Sequence, residues 1–306
     1  MHLSLLALTL AVAIGLRLLP APPPTARSWR TTWQSSLWRF AVPPLLLLST
    51  CLAIVIMGQP GSMWGMPVHN RGLLLAIGFL AIALLRLLQA GLRLWKAQIL
   101  LQTCAIATSS GPAASHLLPS DHLFAGQVGW WRSQLVLSQG VLTTFGPEEI
   151  EAIVAHEQAH SHFRDTFWFF WLGWLRSIVP GLPHTDRLWQ ELLLLREQRA
   201  DAWAAQRVDP LLLAETLVTF VQQTTAQQAQ TPTPPYPTAH PWDPSLFAAF
   251  SDSLPLSRLE ERVTALLHSP IDPADPAIGP TLPALTLLQG LTLLLSPLIT
   301  IPFHHL

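Results

Sequence analysis

The chain has 306 residues, of which half are hydrophobic and only 11% charged, with a formal net charge of −1 and a mean hydropathy of +0.37. An ordinary soluble domain carries about 25% charged residues, so this balance excludes a disordered tail, a nucleic-acid binder and most soluble enzymes. What it predicts is an integral membrane protein. The 28 prolines and 13 tryptophans suit broken membrane helices and interfacial aromatics. Two cysteines, Cys51 and Cys104, make no disulfide framework.

Crossing a bilayer core takes about 20 helical residues. Four segments meet that demand: Leu3 to Leu19, Phe40 to Met57, Gly72 to Leu94 and Leu282 to Phe303. The first lacks a basic residue before it and leaves through prolines, so it reads as a retained span and not as a cleaved signal. Arg17, Arg27, Arg30 and Arg39 crowd the first connection, whereas the second has only Arg71 at its end, and Arg86, Arg93 and Lys96 close the third span. Positive residues favour the cytoplasm. The N-terminus is therefore expected outside and the stretch after Lys96 inside, in a bacterial cytoplasmic (inner) membrane.

This divides the chain into three transmembrane helices over residues 1–96, a cytoplasmic domain over 97–280 and a last transmembrane helix over 281–306. Within the middle, Gly126 to Leu142 reads as strand-like, centred on Gln134 to Ser138, with Gly140 as a turn. A helix should start at Gly146-Pro147-Glu148-Glu149, with proline in the first turn and acids at the positive dipole end, and continue through Asp165. Residues 166–181 are strongly aromatic but short for a span, which suits an interfacial or re-entrant helix. An amphipathic helix is expected from Asp186 to Arg207, a flexible Gln-, Thr- and Pro-rich loop over 222–244, and a last short helix over Ser257 to Leu267.

Chemistry concentrates in His156-Glu157-Gln158-Ala159-His160. Residues four apart on a helix lie one above the other, so both imidazoles can reach one zinc ion, with Glu157 beside them to take a proton from its water. The plainer alternative is a pair of histidines on a polar helix face. Zinc catalysis wants three protein ligands and an open position. Glu197 in Glu197-Gln198-Arg199-Ala200-Asp201 can complete a His2Glu set, or stand as a solvated charge next to Arg196. Asp201, four residues on, can fix the tautomer of a ligand histidine.

These stretches carry a family resemblance. LVLSQGVLTTFGPEEIEAIVAHEQAHSHFRD and LLLLREQRADAWAA resemble the BlaR/MecR-type antirepressor membrane metallopeptidases, metallopeptidase family 56, and LSRLEERVTALL around Arg262 is similar to the helix that follows their core. The match covers about 80 residues by motif and most of the chain by layout. It implies a mainly α-helical integral membrane protein, with about four transmembrane helices plus a small α+β gluzincin-type zinc peptidase domain. It further implies one Zn2+ per chain on His156, His160 and Glu197, with Glu157 as catalytic acid/base and Asp201 behind the ligands. Only His304 to Leu306 follow the expected last span, so no counterpart of the extracellular sensor domain of those antirepressors is expected.

The HtpX and CAAX-prenyl-protease type, metallopeptidase family 48, shares the metal motif. Its His-Pro pair has a loose echo in His240-Pro241 before Arg258 and Arg262, with a longer gap, so His240 reads first as an ordinary loop histidine; the residues are otherwise consistent with His240 or Arg199 as a transition-state helper. Asp165 reads as a salt-bridging helix end or a group behind the ligands. The expected activity is endopeptidase cleavage at the cytoplasmic face, of a transcriptional repressor or a membrane protein, without direct nucleic-acid binding and with a homodimer left open. Quality-control proteolysis, or a signalling protein with a structural zinc site, are the alternatives.

Overall fold

A computed structural model describes residues 2–19, 29–58, 62–63, 66–67, 70–103, 105–107, 115–230, 248–249 and 256–268. The chain is mostly helical, and it divides into two compact units. The first comprises residues 1–89, 174–192 and 281–306, and the second residues 90–173 and 193–280.

In the first unit α1 (His2–Leu18) and α2 (Trp29–Met57) pair, followed by a two-stranded β1 (Ser62–Met63) and β2 (Met66–Pro67) and by residues 70–89 of α3 (Asn70–Thr103), whose remainder belongs to the second unit. Among the described residues two helices are long and apolar enough to cross a membrane, α2 and the Asn70–Ile99 portion of α3; α1 is a shorter apolar helix. The expected fourth span lies outside the described residues. Thr9 and Thr50, both buried, bring their hydroxyls to 3.2 Å, and each also donates to a carbonyl one turn back, so the apolar bundle leaves neither hydroxyl idle. α2 contains Pro43 and Pro44. Proline has no N–H, so Pro44 deprives the Phe40 carbonyl of its helical donor. Nη2 of Arg17 fills that gap at 3.0 Å.

In the second unit β3 (Ala105–Ala107), β4 (Ser115–Leu118), β5 (Ala125–Val128), β6 (Gln134–Ser138) and β7 (Ala248–Ala249) form a sheet in the order β3-β4-β6-β5-β7. Only the β4–β6 pair is parallel. The strand-like stretch is thus a pair, β5 and β6, registered Ala125 to Leu137. Gly140 is not a turn but the second residue of α4 (Gln139–Thr144), which Ser138 caps by accepting the Val141 N–H. A side chain at Gly140 would collide with the Asp121 carbonyl, so the close passage of these two backbones requires glycine there.

α5 (Pro147–Phe163) starts where the sequence predicts, with the Glu149 carboxylate accepting the Gly146 N–H at 2.8 Å. It stops earlier than expected. Arg164 adopts the left-handed conformation at φ 55 and ends the helix, and α6 (Asp165–Ile178) begins at once. The Arg164 guanidinium stacks 3.8 Å above the Trp131 ring, which helps hold this less favourable backbone.

α7 (Thr185–Ala204) runs back along α6, Arg176 meeting Asp186 and Arg196 lying over Phe169; residues 174–192 of the two helices belong to the first unit, and residues 193–204, α8 (Pro210–Gln230) and α9 (Leu256–His268) to the second. α8 extends through residues expected to be loop. Glutamine is a good helix former, and Thr216, Thr224 and Thr225 donate to carbonyls four residues back. The remainder of that loop, residues 231–244, lies outside the described residues.

One face of α5 joins Leu123, Leu135, Leu137, Val141, Phe145 and α8's Phe220 in a shared core. Phe145 and Phe220 stack at 5.6 Å, and truncating a fully buried Phe220 should cost about 3–5 kcal/mol. On another face Ala152 and Ala155 meet Ala204, Leu213, Ala214 and Leu266. These alanines let α7, α8 and α9 approach closely. α5 is consequently enclosed over most of its later turns, which is what buries its histidines.

Candidate metal centre

His156 and His160 project from one side of α5, their ring centroids 4.8 Å apart. Their Nε2 atoms converge to 3.1 Å. α7 delivers Glu197 to the same point: Oε2 lies 3.3 Å from His156 Nε2, and Oε1 lies 3.7 Å from His160 Nε2. One ligand atom from each residue can be chosen so that all lie within 4.8 Å of one another. Two nitrogens at zinc-bond distance from a tetrahedral ion stand about 3.3 Å apart, so the observed spacing suits such an ion. The donor set also fits, because two imidazoles and a carboxylate match a borderline-soft cation with a fourth position left over.

The outward nitrogens are fixed as well. His156 Nδ1 lies 2.9 Å from Asp201 Oδ1, and His160 Nδ1 lies 2.8 Å from Asp165 Oδ2. A carboxylate on Nδ1 holds the proton there and turns the Nε2 lone pair inward, toward the shared point. Asp201 is where the sequence expects such a group. Asp165 joins it because the break at Arg164 swings the first residue of α6 back beside His160.

Arginines surround these carboxylates. Arg262 on α9 holds Asp201 with two bonds of 2.8 and 2.7 Å, and its Nη1 stands 3.4 Å from Glu197. Arg196 donates to Glu197 Oε1 at 2.8 Å while its guanidinium lies over Phe169. Arg199 pairs with Asp165 and packs over Phe163. Arg199, expected as an oxyanion helper, is thus directed to a carboxylate behind the ligands. His240, the other expected helper, lies outside the described residues. Glu157 is fully buried on α5 beside His156.

The electrostatics follow from enclosure set against these partners. Burial, the largest influence, disfavours charge on Glu197, but the Arg196 and Arg262 guanidiniums overcome it and hold the carboxyl well below its usual range. Asp201 is lowered despite burial by Arg262 and His156, and Asp165 chiefly by Arg199 and His160. Burial dominates at His160 and lowers its pKa, keeping it neutral. At His156 burial acts the same way, yet Asp201 and Glu197 outweigh it and raise the value to about 9. Without a metal, one imidazolium therefore stabilises the cluster, and an arriving cation displaces its proton.

Sequence reasoning missed the structural roles of Arg262 and Arg196. A signal for the first was present. Leu259, Arg262, Val263 and Leu266 share one helical face, so Arg262 sits within an apolar stripe and calls for a buried acid. His162, outside the metal reading, rests against Phe163 and Trp203.

Comparison with known proteins returns no matching family model, no matching curated protein and no matching solved structure.

Proposed function

We propose that the chain is a membrane-embedded, zinc-dependent endopeptidase. The observation that supports this best is the convergence of His156 Nε2, His160 Nε2 and the Glu197 carboxylate, each ligand backed by an ionic partner, with Glu157 adjacent. A zinc ion held there would supply a Lewis acid for the scissile carbonyl and lower the pKa of a water toward about 7. Glu157 takes the proton of the attacking water and returns it to the leaving amine. Asp165 and Asp201 keep both rings oriented, and Arg196 and Arg262 keep Glu197 ionised so that it binds without first losing a proton.

A purely structural zinc site has no use for Glu157, which favours catalysis over a scaffold. The arginine distribution supports an N-terminus outside and a cytoplasmic peptidase domain in a multi-pass topology. The BlaR/MecR-type resemblance favours regulated cleavage of a protein substrate over general quality control. The test is metal content and cleavage together in detergent-purified protein. Wild type should hold about one zinc per chain and cleave casein or a candidate repressor. Glu157→Gln should keep the zinc and lose cleavage. Undiminished cleavage by Glu157→Gln would refute its assigned role, and a zinc-free wild type would refute the metalloenzyme.

A further inference from the structure

Arg17 is fully enclosed in the last turn of α1, yet its guanidinium is only partly used. Nη2 serves the Phe40 carbonyl freed by Pro44 and the guanidinium lies 5.2 Å from the Phe40 ring, while Nε and Nη1 are buried without a hydrogen-bond partner among the described residues. Arg39 is half-buried; its Nη2 donates to the Arg17 carbonyl at 3.3 Å, and its Nε is likewise buried without a partner. Two guanidiniums thus share the end of α1, with donors of both unspent.

The surrounding chain offers them no counter-charge. No Asp or Glu precedes Asp121, against seven arginines and one lysine in the same stretch. The Trp174–Leu192 segment of this unit brings two acids: Asp186 is held by Arg176 at 2.7 Å, and Glu191 makes no ion pair with Arg17 or Arg39 among the described residues. Among the described residues no carboxylate pairs with Arg17 or Arg39. Serving the Phe40 carbonyl requires one neutral donor, which glutamine could provide. A fixed, buried charge with spare donors requires an anion.

We propose that Arg17 and Arg39 bind a phosphate-class anion, whose tetrahedral oxygens suit the donor fork of a guanidinium. The site lies at the end of an apolar helix, the depth at which lipid headgroups carry phosphate, and the half-buried Arg39 leaves a way in. The same chemistry is offered by an acidic lipid headgroup and by free phosphate.

The experiment follows the unfolding temperature of the full chain in neutral detergent. It compares added phosphatidylglycerol, inorganic phosphate and diacylglycerol, which has the tails without the phosphate. Phosphatidylglycerol should raise the unfolding temperature saturably, and diacylglycerol should not. The midpoint should move about tenfold higher in Arg17→Gln and in Arg39→Gln, as expected for losing one charge-assisted contact. Arg86→Gln, at an exposed position of α3, should follow wild type. A full response to inorganic phosphate supports the site and assigns the free anion; a response to the lipid alone assigns the headgroup. Should Arg17→Gln fail to fold, the half-buried Arg39→Gln carries the comparison. Equal midpoints in wild type and Arg39→Gln, or no response of wild type to either phosphate source, would overturn the proposal.

Discussion

Asp165 stands 2.8 Å from Nδ1 of His160, although left-handed Arg164 separates the helices that bear them. Two adjacent helices in the chain would ordinarily diverge. Here the break returns the first residue of the second helix to His160, one turn before the end of the first. Asp201 does the same for His156 from α7, so each imidazole is held from behind by its own carboxylate.

If that contact orients the ring, Asp165→Asn should lower zinc affinity by about 10- to 100-fold while leaving the helical content intact. Competition with a chromophoric chelator measures this directly. An unchanged affinity would show that His160 is oriented without Asp165.

The Arg262–Asp201 pair predicts a coupling in stability. Removing the arginine alone strands buried Asp201 and takes a partner from Glu197, at a cost of about 3–5 kcal/mol. Arg262→Gln combined with Asp201→Asn should lose clearly less than the two single losses added together. Denaturant unfolding of the four proteins in detergent closes the cycle, and strict additivity would mean that the two residues act independently.

Acid should weaken the metal-free protein. Asp165, Glu197 and Asp201 all titrate below ordinary carboxylate values when folded. Their contribution is complete above the unfolded values of about 4 and is lost as pH falls through the lowered folded ones. The unfolding temperature should therefore decline below about pH 4, and less steeply in Asp201→Asn, which has surrendered part of that contribution already. Parallel acid limbs in the two proteins would contradict the assignment.

Two glycines should respond oppositely to alanine. At Gly140 the new carbon would meet the Asp121 carbonyl oxygen within 2.2 Å, and forcing the backbones apart should cost about 1–3 kcal/mol. At Gly91, inside α3, nothing lies within 4 Å, and alanine should be neutral or add about 0.5–1 kcal/mol of helix stability. Thermal unfolding of both variants distinguishes these signs.

Periodic and punctuated stretches were legible in the sequence. Pro147 with Glu149 marked the start of α5, and the spacing of His156 and His160 placed both rings on one side. The partner from α7 was readable because Glu197 and Asp201 repeat that spacing. The break at Arg164 was not, since arginine has no left-handed preference and the feature depends on Trp131, distant in sequence. The buried arginines were also hard to see, because a charge within a helix looks solvent-facing until its neighbours on the same face are counted. Residues 222–230 misled in the other direction: their composition resembles a linker, but glutamine is a good helix former and Gln227 accepts the Leu123 N–H at 3.1 Å, which ties the helix to the sheet side of the unit.

All three candidate metal ligands, His156, His160 and Glu197, are almost wholly enclosed by α5, α7 and the elements around them. A cation held there would therefore enter as the chain folds or when the packing opens, and leave only by the second route. Binding confined to the folded state stabilises that state in proportion to the logarithm of ligand supply. Zinc starvation would then act on the lifetime of this protein as well as on its catalysis: empty chains would be the ones that unfold and are degraded, so the population that survives would be enriched in loaded molecules.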